Sequence, residues 1–338
     1  MTPKKTKQHR LIGGFSLIEM MIAMTIGLMI IGALTAVIIS AGSTGKANDR
    51  NSELQTNGRY ALDALKRDIQ LAGYYGLTGR GVIGQVIDIG ANDCYAFFAS
   101  NLSQRVWGSN DGVNTFAAKC IPAARYAGSD ILVLRYVSLE SAPSTDTQAT
   151  PGFNTAGMLY FRSAFGLSAL YQAPAVPYPT LAATPQNDHR VEVHIYYVNP
   201  NSVGADGIPS LHRVMFDATG NMLDELVVSG VQNMQVQYGV SDAAGVTQYF
   251  DAHKVNTGVA EATDSITPVV DSTGRTLSPP NPWGKVNALR IWLLVRNSTP
   301  DKDAYTDTNT YTLGDQTLAA AKDRYRRQLF SSTIQLRN

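Results

Sequence analysis

Residues 14–45 read GFSLIEMMIAMTIGLMIIGALTAVIISAGSTG, and Glu19 is the one charged side chain among them. Between Glu19 and Lys46 lie 26 uncharged residues, most of them apolar. A bilayer core takes about 20 residues of helix, so this stretch is long enough to span. Lys4, Lys5, Lys7 and Arg10 precede it, with no acid among the first eighteen positions. Basic flanks stay on the cytoplasmic side, which puts everything after Lys46 outside. An ordinary secretory signal has an apolar core of about 7–15 residues followed by small residues at the cut. This tract is too long for that, and Ser40, Ala41 and Gly42 make a poor cleavage site. A plain uncleaved anchor accounts for the hydrophobicity and the lysines. It leaves Glu19 unexplained, because a carboxylate inside a spanning helix costs on the order of 3 kcal/mol.

The remainder of the 338-residue chain narrows the possibilities. The formal charge is +1, yet four of the 28 basic residues sit in the first fourteen, leaving 24 against 27 acids after Gly14. An acidic body offers no broad field for nucleic acid. Cys94 and Cys120 stand without a Cys-x-x-Cys or a histidine at ligand spacing, which argues against zinc. Outside the cytoplasm two such cysteines favour a disulfide worth about 3 kcal/mol; two buried thiols are the alternative.

Glu19 follows Gly13–Gly14 by five positions. A cut after Gly14 would give Phe15 a new α-ammonium, with Glu19 one turn further on the same helix face. That carboxylate could then meet its own chain end or a neighbour's. The intermolecular pairing would also set the axial register of two helices.

The motif GFSLIE at 14–19, after a short basic leader and before an unbroken apolar helix, resembles the class III signal of type IV prepilins and type II secretion pseudopilins. The resemblance implies cleavage between Gly14 and Phe15 by a prepilin peptidase, N-methylation of Phe15, and a role for Glu19 in meeting a neighbour's amine. The tract lacks the proline many major pilins carry there. Gly27, Gly32 and Gly42 become the expected points of local melting, each weakening the helix by about 1 kcal/mol relative to Ala.

Leu54, Ala61, Leu62, Leu65, Ile69 and Ala72 then recur at helical spacing, opposite Arg59, Asp63, Lys66, Arg67 and Gln70. Gly73 is the expected stop, giving one helix of about 55 residues that continues from the membrane onto a head. Apolar–polar alternation at 130–139, 191–198, 211–216, 225–240 and 287–297 predicts antiparallel strands. Polar or Pro-rich loops are expected near 141–156, 172–188, 253–282 and 298–312. The expected fold class is α+β, a long N-terminal helix packed on an antiparallel β-sheet head. Its expected divisions are a cleaved leader (1–14), a transmembrane or filament-core helix (15–45), an amphipathic continuation (46–76) and a periplasmic β-rich head (77–338).

Four blocks, at 57–76, 226–240, 286–297 and the terminal YRRQLFSSTIQLRN, resemble in their order the PilW-type minor pilins. That resemblance implies a minor pilin that primes type IV pilus growth with other minor pilins and the major pilin and lies at the tip, where an adhesin could be held. It implies an inner-membrane position before assembly and a surface position in the pilus after it. The length favours this over the J-type minor pseudopilin of type II secretion, which is usually much shorter.

A membrane-anchored periplasmic enzyme is the third reading. No Gly-x-Ser-x-Gly elbow, phosphate loop or cofactor motif supports it. His9, His189, His194, His212 and His253 lack metal-ligand spacing and read as ordinary surface or core residues. Asp301, Asp303 and Asp307 could suggest Ca²⁺ but lack the glycine and terminal glutamate of a calcium loop. Asp217, Asn221, Asp224 and Glu225 read as a hairpin turn around Gly220. Arg324, Arg326 and Arg327 could be a DNA patch but fit an element edge docked on the head better. Tyr171 and Tyr178 either contact a partner or cover the core.

Overall fold

The computed structural model describes residues 14–79, 97–144, 152–175, 178–241, 246–257, 282–301 and 305–337, together with 87, 89, 90, 93 and 94. Helix α1 spans Leu17–Leu71, 55 residues, as the apolar and amphipathic patterns together predict. Contacts within the chain divide it at Asn51/Ser52, and the two units are taken separately.

In the first unit α1 is bare. Phe15, Leu17, Met29 and Ile38 are 85%, 80%, 76% and 70% exposed, so this apolar surface stays open among the described residues. Thr25, Thr35 and Thr44 donate their hydroxyls to the carbonyls of Ile22, Ile31 and Ser40, which satisfies polar groups a membrane cannot solvate.

In the second unit α1 turns amphipathic. Leu54, Ala61, Leu65, Ile69 and Ala72 are buried, and Leu62 is half-buried. Gly58 faces the Phe330 ring so closely that a Cβ there would overlap it. The helix stops where expected: Gly73 adopts φ +82°, and its N–H donates to Arg135 O at 3.0 Å.

Thirteen strands and a short helix follow among the described residues: β1 Val106–Ser109, β2 Ile131–Pro143, β3 Leu159–Ala164, β4 Leu167–Gln172, β5 Asn187–Asn199, β6 Ser210–Phe216, β7 Met222–Ser229, β8 Val231–Ser241, β9 Thr247–Asp251, α2 Ala252–Thr257, β10 Val286–Arg296, β11 Tyr311–Leu313, β12 Gln316–Leu318 and β13 Arg327–Gln335. The first sheet runs β1-β2-β5-β3-β4, with β6 on β5 and β7 on β6. The 13-residue β5 serves two neighbours along one side: β3 pairs near Arg190 and β6 pairs from Ile195 onward. The second sheet runs β13-β10-β8-β9, and β11-β12 is a separate hairpin. All pairings are antiparallel. Trp107 of β1, Tyr238 of β8 and Trp283 form a buried aromatic group, with centroids 6.2 Å apart for the two tryptophans and 4.8 Å for Tyr238–Trp283.

Several sequence expectations change: α2 opens the expected loop near 253–282, and β5 begins at Asn187 within the expected loop near 172–188. The run 225–240 is two strands, because Gly230 at φ +92° ends β7 in the first sheet and starts β8 in the second. Part of the expected loop at 141–156 is strand, since β2 continues to Pro143. The β3–β4 hairpin carries no alternation; β3 is buried at all six positions and so gives no polar face to read. Its Arg162 is held by Asp188 of β5 through two bonds of 2.8 and 2.9 Å, both side chains fully buried. A buried guanidinium is tolerable only with such bidentate pairing.

Gly230 joins the two sheets, with its N–H donating to Pro209 O (2.7 Å) and its carbonyl accepting from Arg296 N–H (2.8 Å). A Cβ there would lie 2.7 Å from the Arg296 carbonyl oxygen. Gly230→Ala should therefore destabilise the head by about 2–4 kcal/mol, through left-handed strain and a backbone clash together. Chemical denaturation compared with Gly204→Ala, where φ is +63° but space is open, separates the clash from the strain.

Candidate functional site

At the start of α1, Ser16 precedes the first helical residue. Its Oγ accepts from the Glu19 N–H at 3.3 Å, and Glu19 Oε2 accepts from the Ser16 N–H at 3.5 Å. This reciprocal pair is a capping box, which satisfies helix-end donors that otherwise lack partners. The S-x-x-E spacing at 16–19 carried that signal, and the sequence reading assigned no role to Ser16. Glu19 thus has a local task in the uncut chain. Its carboxylate accepts one long bond and keeps acceptor capacity for a cation. Gly14 and Phe15 lie immediately before the cap, exposed. A Cβ at Gly14, Gly27, Gly32 or Gly42 would meet nothing within 4 Å, so the chain's own fold does not demand glycine at these places.

In the second unit a polar cluster fastens the end of α1 to the first sheet. Buried Asp68 accepts through Oδ2 from His194 Nδ1 and from the Tyr196 hydroxyl, and through Oδ1 from the Tyr136 hydroxyl at 3.4 Å. Arg213 Nη1 stands 3.6 Å from Asp68 Oδ2, while its Nη2 donates to Glu225 at 2.8 Å. His194 Nε2 lies 3.8 Å from Glu192 Oε2. Burial pushes the Asp68 carboxyl up, but the His194 bond and charge, the Tyr196 hydroxyl and Arg213 outweigh it and hold the group below its usual range. Burial raises Glu192 instead. His194 reads as an ordinary histidine in sequence; its partner lies 126 positions away, which no local pattern reveals.

The remaining candidates resolve in packing terms. Cys94 and Cys120 form a disulfide, Cα–Cα 5.3 Å, in the segment before β2. The fully buried Arg135 of β2 donates to the carbonyls of Phe98 (3.0 Å) and Gln104 (2.8 Å). Asp301 pairs with Arg326 at 2.7 Å and Asp307 with Arg327 at 3.0 Å. Those two carboxylates and two of the three terminal arginines therefore neutralise one another. Asp303 lies outside the described residues, among which no group of three or more His, Cys, Asp or Glu could hold a metal. His9 is also outside them. His189 Nδ1 meets Ser138 O at 2.9 Å, and His212 Nδ1 meets Asp224 at 3.0 Å. Asp217 Oδ1 accepts from Thr219 N–H and Asn221 N–H around Gly220, closing the expected β6–β7 turn. Tyr171 is buried and stacked on Tyr160 at 5.6 Å, with Tyr178 edge-on to it, so both cover the core.

The prokaryotic N-terminal methylation motif matches residues 10–35, over the cap and the first turns of α1. The family described as Type IV Pilus-assembly protein W matches residues 195–338. A solved type IV-like pilin from Thermus thermophilus is similar at 13% identity, over 85% of this chain and 94% of that one, with a TM-score of 0.33. No curated protein matches the chain. The long apolar helix with its capped start carries the N-terminal methylation motif of prokaryotic proteins, a pattern shared with type IV pilin-like proteins. The C-terminal part, from Ile195 on, is similar to the PilW family of type IV pilus assembly proteins.

Asp68 gives a pH test. A depressed carboxyl contributes stability that is complete above the unfolded carboxylate range and is lost as pH falls through the folded value. Asp68→Asn should cost about 3–5 kcal/mol near neutral pH, as expected for breaking a buried pair. That penalty should shrink below the ordinary carboxylate range, as followed by denaturation from pH 7 down to acid.

Proposed function

We propose that the chain is a minor pilin that enters type IV pilus assembly through its N-terminal helix. Prepilin peptidase cuts between Gly14 and Phe15, Phe15 is N-methylated, and Glu19 pairs with the N-terminal amine of a neighbouring subunit. The observation that carries this reading is the placing of one carboxylate at the capped head of a helix whose apolar side chains are exposed among the described residues. Before assembly lipid supplies the missing cover, with the head in the periplasm; in the filament other pilins supply it. Leaving lipid is favourable for Glu19 only if a cation meets it, since an unpaired carboxylate at membrane depth costs about 3 kcal/mol.

Cleavage changes the cap as well as the charge. Once the Gly14–Phe15 bond is cut, the α-ammonium lies four residues before Glu19, and a second subunit's ammonium competes with the Ser16 N–H for the same oxygens. A head of this size is awkward to repeat along a shaft, which supports low copy number and a place at the tip, where the subunit primes growth together with other minor pilins and the major pilin. An adhesin held there is consistent with that position.

Glu19→Gln separates the two roles of the side chain, because the amide keeps a capping acceptor and drops the charge. Measured by quantitative blotting of sheared filaments, Glu19→Gln and Glu19→Leu should both fall at least about tenfold in filament incorporation, the scale of one lost ion pair. Membrane levels of both variants should stay near wild type. Wild-type incorporation of Glu19→Gln would show that capping is the whole role of Glu19 and would remove the pairing.

A further inference from the structure

On the outer face of the second half of α1, Arg59, Lys66 and Arg67 are exposed, with Asp63 the one acid between them. Arg67 opens into a cleft of about 430 Å³ whose other walls are Gln70, Leu71, Tyr74 and Arg337. Positions 67, 70 and 71 share one face of the last turns of α1, and Tyr74 follows just past its stop at Gly73. Arg337 comes from the tail after β13, held by the bond from Leu336 N–H to Asn287 O at 2.9 Å. Among the described residues neither Arg67 nor Arg337 has a carboxylate within ion-pair range, unlike Arg162, Arg213, Arg326 and Arg327. Two unneutralised guanidiniums over a floor of Leu71 and Tyr74 stand out on a body that carries 24 basic residues against 27 acids after Gly14.

Guanidinium groups favour carboxylates through paired N–H donors, and partial removal of water strengthens that attraction. An apolar floor adds area burial at about 25 cal/mol per Å². Both demands are met by a peptide segment that presents an aspartate or glutamate beside an apolar side chain.

We propose that this cleft docks an acidic surface segment of another pilin-type subunit, its carboxylate between Arg67 and Arg337 and its apolar side chain on Leu71 and Tyr74. The choice of partner rests on the filament reading above; the chemistry of the cleft does not. The contact supplements the pairing at Glu19 with a second, sequence-selective one on the head, where rim charges set partner choice more than raw affinity.

The test uses the full-length chain in its native membrane with a benzophenone side chain at position 70 and adducts mapped by mass spectrometry. The expected product is an adduct to an acidic segment of another pilin-type subunit. Its yield should fall about tenfold in Arg67→Glu/Arg337→Glu, recover in part in Arg67→Lys/Arg337→Lys, and fall with rising salt. An adduct that is indifferent to charge reversal, an adduct to phospholipid, or no protein adduct while filament incorporation is normal would each overturn the cleft proposal and leave the filament reading standing. Failure of the wild-type chain to enter filaments, with the charge-dependent adduct still formed in the membrane, would overturn the filament reading and leave the cleft.

Discussion

Apolar surface left open must find another solvent, and the stretch from Phe15 through the first half of α1 to Ile39 is open among the described residues. Each large side chain there that is left in water costs about 1.5–3 kcal/mol relative to burial, far more in sum than the marginal stability of a folded domain could offset. The helix can exist in lipid or against other helices, and an assembly subunit needs both states in turn. On the proposed reading Glu19 is the group that distinguishes them, since a neighbouring processed chain end would offer it a cation that lipid does not.

The head solves a different problem, which is to grip the last turns of the same helix firmly. It does so with apolar residues at Leu54, Ala61, Leu65, Ile69 and Ala72, and with one buried charge, Asp68, satisfied by His194, Tyr196, Tyr136 and Arg213. A wholly apolar contact would tolerate sliding of the helix by a turn. A carboxylate that must meet donors on three strands tolerates only one register, which is the use of buried polar groups for specificity. Gly58 against Phe330 and Gly73 against Arg105 add steric stops at either end of this segment.

The helix was the most legible part of the sequence, because charge and hydropathy along one continuous element are local properties. The bare tract, the amphipathic stripe and the stop at Gly73 all follow from spacing alone. Strands with one wet face, such as β6 and β10, were equally readable. β3 was not, since full burial on both faces erases alternation, and the β7–β8 run concealed a change of sheet at a single glycine. Partners brought together over long separations were invisible: Asp68 with His194, and Asp307 with Arg327. Asp301 and Asp307, read in sequence as part of a candidate Ca²⁺ cluster, instead pair with arginines 25 and 20 positions later. Ser16 was legible in principle through S-x-x-E, though the apolar run after it drew attention to the membrane rather than to the cap.

Processing at the head of the helix is the step on which the proposed pairing of Glu19 depends, because only a free chain end would supply the cation. Intact-mass and N-terminal peptide mass spectrometry of the protein recovered from its membrane reads that step directly. The account predicts a mature chain beginning at N-methylated Phe15. A chain that retains Met1, or one that begins near Gly42, would contradict it.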